Sequence, residues 1–219
     1  MGAGSHLCIE DYLSKNFYGT VFVEVGSDQP PRRQGSTEGL YNIAHDFDMN
    51  FFTIDSSQEN HDKMREILPD LCCKSDFNIV TGKGEEELLN IVPRYGLIGA
   101  AYLDNFDWIY NPVLLKEKKE PPEQYQQYLY YKKNGIELNN RNSSIAHLKQ
   151  TIIVEKYSAP TCIVMYDDTW YDKYSDIFLG KGSSSVIYLL AKGWKFLPVS
   201  SRFSHLSHFA IAVGKGIQF

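Results

Sequence analysis

What this chain lacks narrows what it can be. No apolar run reaches the length of a membrane span and no signal-peptide pattern leads it, so a cytoplasmic protein with no membrane partner is expected. Met1-Gly2-Ala3-Gly4-Ser5-His6 begins like a myristoylation signal, but His6 stands where Ser or Thr is required, so the segment reads as a flexible end. The four cysteines, Cys8, Cys72, Cys73 and Cys162, have no paired metal-ligand spacing, and Cys162 lies inside an apolar run, so all four read as reduced and structural. Positive charge is scarce: a net charge of -5 argues against general nucleic-acid binding, which depends on many Lys and Arg contacts to phosphates. Gly-x-Gly-x-x-Gly is missing too, which disfavours an NAD- or FAD-dependent oxidoreductase.

What is present is organised around residues 18 to 55. Thr20-Val21-Phe22-Val23-Glu24-Val25 is rich in β-branched and aromatic residues and runs directly into Gly26-Ser27, where the backbone turns without a side-chain clash. An irregular segment, 28 to 35, leads to Leu40, Ile43, Ala44 and Phe47, spaced as one face of a helix. A second strand, Asn50-Phe51-Phe52-Thr53-Ile54, ends at Asp55. The order of strand, glycine turn, helix, strand and acid is that of a nucleotide site, in which a carboxylate ending the second strand accepts hydrogen bonds from ribose hydroxyls.

The alternation continues. Ser56 with Glu59 has a capping-box pattern, a third strand at 76 to 80 is followed by Gly82-Lys83-Gly84, and three glutamates start the next helix as the macrodipole favours. A continuous apolar run, 97 to 103, ends in Asp104, and a later one, 161 to 166, ends in Asp167-Asp168, as expected of central parallel strands buried on both faces. Between them, residues 105 to 144 carry mixed charge, Pro121-Pro122 and a cluster at Tyr125, Tyr128, Tyr130 and Tyr131, which reads as a lid or cap insertion or as a solvated excursion packed on the body. A helix from Ser183 to Lys192 and two closing strands, 194 to 199 and 208 to 213, complete a single domain over 1 to 219. Glu24, Gly26, Ser27, Asp55, Gly82, Lys83, Gly84, Asp104, Asp167 and Asp168 then gather at the carboxyl ends of successive strands, where ligands bind in open α/β sheets.

Through Phe22-Val23-Glu24-Val25-Gly26-Ser27, Phe52-Thr53-Ile54-Asp55, Tyr102-Leu103-Asp104 and Val164-Met165-Tyr166-Asp167-Asp168-Thr169-Trp170, the chain resembles class I S-adenosylmethionine-dependent methyltransferases. It is most similar to the metal-assisted O-methyltransferases of the catechol and macrolide-sugar type. The resemblance implies a Rossmann-like, doubly wound α/β sheet of seven strands ordered 3-2-1-4-5-7-6 with the seventh antiparallel. It implies S-adenosylmethionine held by Glu24, Gly26, Ser27, Asp55, Gly82, Lys83, Gly84 and Asp104, and Mg²⁺ held by Asp104, Asp167 and Asp168. It also implies a methylated hydroxyl on a small molecule or sugar. Where catechol-type enzymes carry a lysine base three residues after the strand-four Asp, this chain has Asp107, so Asp104 and Asp107 are the catalytic candidates. Self-association into a homo-oligomer stays open. The rival expectation is a non-catalytic relative of the same fold whose 105 to 144 insertion is an interaction surface.

Overall fold

The computed structural model describes residues 7–16, 18–27, 36–106, 108–109, 122–133, 135–196 and 210–214. In chain order the elements are α1 (Leu7–Asn16), β1 (Val21–Val25), α2 (Ser36–Asp46), β2 (Asn50–Asp55), α3 (Gln58–Ile67), α4 (Pro69–Cys72), β3 (Phe77–Thr81), α5 (Gly84–Tyr95) and β4 (Ile98–Leu103). They continue with α6 (Pro122–Lys133), α7 (Asn140–Tyr157), β5 (Ser158–Tyr166), β6 (Thr169–Asp172), β7 (Ile177–Gly180), α8 (Ser183–Ala191), β8 (Lys195–Phe196) and β9 (Ala210–Val213). Seven strands form one sheet in the order β3-β2-β1-β4-β5-β9-β8, while β6 and β7 pair separately as a small antiparallel hairpin. The first five sheet strands are parallel, and β9 runs antiparallel to both β5 and β8. Counted within the large sheet alone, this is the expected 3-2-1-4-5-7-6 order with its seventh strand reversed.

Both faces of the sheet are covered, so its central strands are buried and largely apolar, with Glu24 of β1 and Thr53 of β2 as buried polar exceptions. Phe22, Phe51, Phe77, Ala100, Ile163 and Met165 face one helix layer, built from α1, α2 and α3. Val21, Val23, Val25, Phe52, Ile54, Ala101 and Val164 face the other, built from α5, α7 and α8. On the first face the aromatic rings interlock: Phe51 lies 5.6 Å from both Phe22 and Phe77, and Tyr41 of α2 meets Phe77 edge-on at 5.2 Å. Each buried aromatic of this kind contributes about 1.5–3 kcal/mol.

Tyr125, Tyr128, Tyr130 and Tyr131 of the 105 to 144 segment pack locally. Phe106, Ile109, Tyr131 and Leu138 form a third apolar cluster, with the Phe106 and Tyr131 rings stacked at 5.3 Å. Asn140 ties this cluster to the start of α7, donating to the Ile109 carbonyl at 2.9 Å and accepting from the Ile109 N–H at 2.8 Å.

Two local expectations change. The cap of α3 is Ser57, not Ser56: its hydroxyl accepts from the Asn60 N–H, because Asp55 Oδ1 already holds the Ser57 N–H at 2.7 Å in an Asx turn that uses one more residue. The β6–β7 hairpin occupies a stretch with no strand expected, and it proves central to the site. Of the two closing strands, Lys195–Phe196 and Ala210–Val213 pair as expected, and residues 197 to 209 between them lie outside the described set.

Candidate functional site

The chain reverses direction across the sheet between β1 and β4, and there the strand ends open a crevice. The residues just past the strands continue the ladder for one more bond each. Gly26 N–H donates to the Ile54 carbonyl at 2.8 Å, Gly82 N–H to Asp55 at 2.9 Å, Asp104 N–H to Val25 at 2.8 Å and Asp167 N–H to Leu103 at 3.2 Å. The expected site residues therefore stand in one row. Gly26 has φ +99°, and a Cβ there would lie 2.6 Å from the carbonyl carbon of Asp104, so only glycine lets β1 and β4 finish this close together.

On the β2 side of the row, Asp55 is oriented by the Ser57 N–H, by the Ser27 N–H and by the Asn60 side chain. Burial nevertheless pushes its carboxyl up to about 6. Beneath it runs a closed polar chain. Glu24 Oε2 accepts from Thr37 at 2.8 Å and from Thr53 at 2.6 Å, Thr53 meets Ser27 at 2.7 Å, Ser27 meets His61 Nε2 at 3.1 Å, and His61 Nδ1 meets Thr81 at 2.8 Å. Burial, then Arg65, pulls His61 down to about 4, so it is a neutral ring with one donor and one acceptor joining β1 to β3. Glu24, fully buried, thus braces the turn through its Oε2. Lys83 points outward, pairing with Glu86 at 3.1 Å, whereas Gly82 and Gly84 form the approach to α5.

On the β4 side, Asp104, Asp167 and Asp168 do come together, but the cation they enclose is a side chain that sequence reasoning missed. Lys181, 1% exposed, reaches Asp104 Oδ1 at 2.6 Å, the Phe106 carbonyl at 3.2 Å and Asp168 Oδ2 at 3.4 Å. Burial alone would lower its pKa, yet Asp104, Asp168 and Asp167 together hold the ammonium above the usual lysine range. The Tyr102 hydroxyl holds the other oxygen of Asp104 at 3.2 Å.

The hairpin explains how Lys181 arrives there. Gly180, at φ +93°, sits so close to the Asp168 carbonyl that a Cβ would collide with it, the Lys181 N–H donates to that carbonyl at 3.1 Å, and Gly182 N–H donates to Thr169 at 2.9 Å. Its sequence signal was a lysine between two glycines after the short apolar run Ile177-Phe178-Leu179.

The residues present do not fit the expected Mg²⁺. A hard divalent ion takes at least six oxygens at about 2.0–2.6 Å, and the space between Asp104 and Asp168 is filled by an ammonium whose donors they satisfy. Among the described residues no three His, Cys, Asp or Glu side chains are grouped to hold an ion. Asp107, the other catalytic candidate, lies outside the described residues.

No protein-family model matches the chain, and no curated protein matches it in sequence. Solved structures match its fold. CalS11, a TDP-rhamnose 3'-O-methyltransferase of calicheamicin biosynthesis, is 13% identical with a TM-score of 0.55, covering 95% of this chain and 78% of that one. TomG, an O-methyltransferase of tomaymycin synthesis from Streptomyces achromogenes solved with S-adenosylmethionine, is 11% identical with a TM-score of 0.53 over 96% of this chain and 78% of that one. An rRNA methylase from Streptococcus thermophilus is 11% identical with a TM-score of 0.54 over 98% of each chain. The chain therefore has the fold of the class I methyltransferases.

Proposed function

We propose that this protein is an S-adenosylmethionine-dependent methyltransferase acting on an oxygen of a small molecule. The observation that carries the reading is the in-register row of Gly26, Asp55, Gly82, Asp104 and Asp167 at the switch point of the sheet, in a fold shared with solved O-methyltransferases. The donor set suits the cofactor. Asp55 retains lone pairs for a ribose hydroxyl beyond the donors that orient it, and Gly26 leaves room for close backbone approach. Fully buried Gln150 has neither amide atom hydrogen-bonded and lies beside Gly84, 2.8 Å from where a Cβ there would stand, a polar group left for a ligand.

S-adenosylmethionine, when bound, supplies an electrophilic methyl group on a cationic sulfur. The chain's part is to bind, orient and take a proton. Asp55 holds the ribose. Asp104, fixed through one oxygen by Tyr102 and through the other by Lys181, is the acceptor for the proton of the attacking hydroxyl. Phe106, at the start of the 105 to 144 segment, has its carbonyl bound to Lys181, and its ring, stacked on Tyr131, helps to keep water from the acceptor. An RNA acceptor, as for the Streptococcus thermophilus neighbour, fits poorly with a net charge of -5.

The test is calorimetry with S-adenosylmethionine, S-adenosylhomocysteine and NAD. Binding of the two adenosyl compounds and not of NAD is expected, and no heat with either adenosyl compound would sink the reading. Asp55→Ala is expected to lose on the order of 1–3 kcal/mol of that affinity.

A further inference from the structure

We propose that Lys181 is the resident cation of the crevice: its ammonium stands between Asp104 and Asp168, at the ends of β4 and β5, in the place the expected divalent metal ion would take. The ammonium donates to Asp104 Oδ1 and to the Phe106 carbonyl, and it is ion-paired with Asp168 Oδ2 at 3.4 Å. Nothing about this placement is casual. Lys181 is 1% exposed, so the side chain is walled in rather than draped over the surface. Two of its three partners sit in left-handed backbone conformations, Phe106 at φ +60° and Asp168 at φ +46°, which non-glycine residues adopt only when the surroundings compel them. In addition, Gly180 and Gly182 are packed too tightly for side chains, the one against the Asp168 carbonyl and the other against Thr169 and Tyr166. The hairpin thus delivers a positive charge to a fixed point between two strands, and a second cation at that point would meet it at contact distance.

An ammonium and a metal ion differ in what they allow. The ammonium neutralises the carboxylates and orients Asp104, but it cannot chelate two oxygens of a ligand as an octahedral ion does. An acceptor entering this crevice therefore has no need of paired hydroxyls. That consequence for the acceptor rests on the methyltransferase reading; the cation assignment does not.

The experiment uses the full chain, stripped with a chelator and without any cofactor, and follows Mn²⁺ binding by electron paramagnetic resonance. Wild type is expected to show no stoichiometric site. Lys181→Ala is expected to gain one, with affinity at least about tenfold tighter than wild type, lost again when Asp168→Asn is added, and Mn²⁺ is expected to raise the melting temperature of Lys181→Ala and not of wild type. If Lys181→Ala fails to fold, Lys181→Gln keeps the length of the side chain without its charge and is held to the same outcomes. A wild-type Mn²⁺ site that disappears in Asp168→Asn overturns the proposal, and so does a folded charge-deleted variant that binds the ion no better than wild type. Because no adenosyl compound is present, failure of the methyltransferase reading would appear in calorimetry and leave this result untouched.

Discussion

Gly82-Lys83-Gly84 and Gly180-Lys181-Gly182 are the same tripeptide, one after β3 of the large sheet and one at the end of the separate β6–β7 hairpin, yet one lysine is discarded to solvent and the other becomes the centre of a site. The difference comes from what precedes each. After β3 the chain enters α5 at once, with Lys83 as its extended N-cap residue, and the side chain finds Glu86 one turn on, an exposed pair of little value. After β5 a hairpin first carries the chain out and back, so that Lys181 returns over the strand end it left and its ammonium lands on Asp104. A tripeptide does not specify a role; the connection that carries it does.

Removing the charge at each position gives the sharpest contrast. Lys181→Met is expected to cost up to about 3–5 kcal/mol of stability, because it strands two half-buried carboxylates without their partner. Lys83→Met is expected to stay within about 0.5 kcal/mol. Urea denaturation of the two variants checks this, and equal effects would break the comparison.

The glycines give the next largest difference. Gly180→Ala places a methyl group against the Asp168 carbonyl at a positive φ, and a loss on the order of 1–3 kcal/mol is expected. Gly82 has no positive φ, and the nearest atoms to a Cβ there belong to the movable end of Glu87, so Gly82→Ala should cost less than about 1 kcal/mol. Thermal unfolding of both variants, with Gly180→Ala no worse than Gly82→Ala, would show that the hairpin turn does not fix Lys181.

Much of this architecture was legible in the sequence, for a physical reason. Strands covered on both faces must be largely apolar, so runs such as Ile98 to Leu103 announce themselves, and an acid that ends such a run has left the core. That is why Asp55, Asp104, Asp167 and Asp168 could be placed at one edge. The hairpin was not legible, because Thr169-Trp170-Tyr171-Asp172 and Ile177-Phe178-Leu179-Gly180 are short and lie off the main sheet, where neither pattern nor length separates them from a loop. Without the hairpin, Lys181 had no address, and the three carboxylates suggested a metal ion. The buried chain from Glu24 through Thr53, Ser27 and His61 was equally hidden, since a threonine in a strand reads as a β-former whether or not its hydroxyl is in use.

The smallest expected effect concerns pH and again sets the two ends of the row against each other. At Asp104, burial and the neighbouring Asp167 push the carboxyl upward and the Lys181 ammonium opposes them; Lys83 gives its ammonium to Glu86, so Asp55, with only hydrogen-bond donors to oppose its burial, has its carboxyl pushed up to about 6. The sign follows from which form each state prefers. The unfolded chain ionises Asp55 near 3.8, so between that value and 6 the folded apo protein holds a proton that the unfolded chain has released; Asp55 therefore erodes stability as pH rises through this window. Ligand binding runs the other way, because ribose hydroxyls donate to the carboxylate and not to the acid. Affinity for S-adenosylhomocysteine is expected to climb with pH up to about 6 and then level off, lying about tenfold below its plateau at about pH 5. Calorimetry across this range measures it, with proton release on binding at the lower pH as a second readout. Asp55→Asn should bind weakly and without the slope. A wild-type affinity that stays flat from about pH 5 to 7 would mean that Asp55 is already charged in the apo protein, and that the two ends of the row differ less than their lysines suggest.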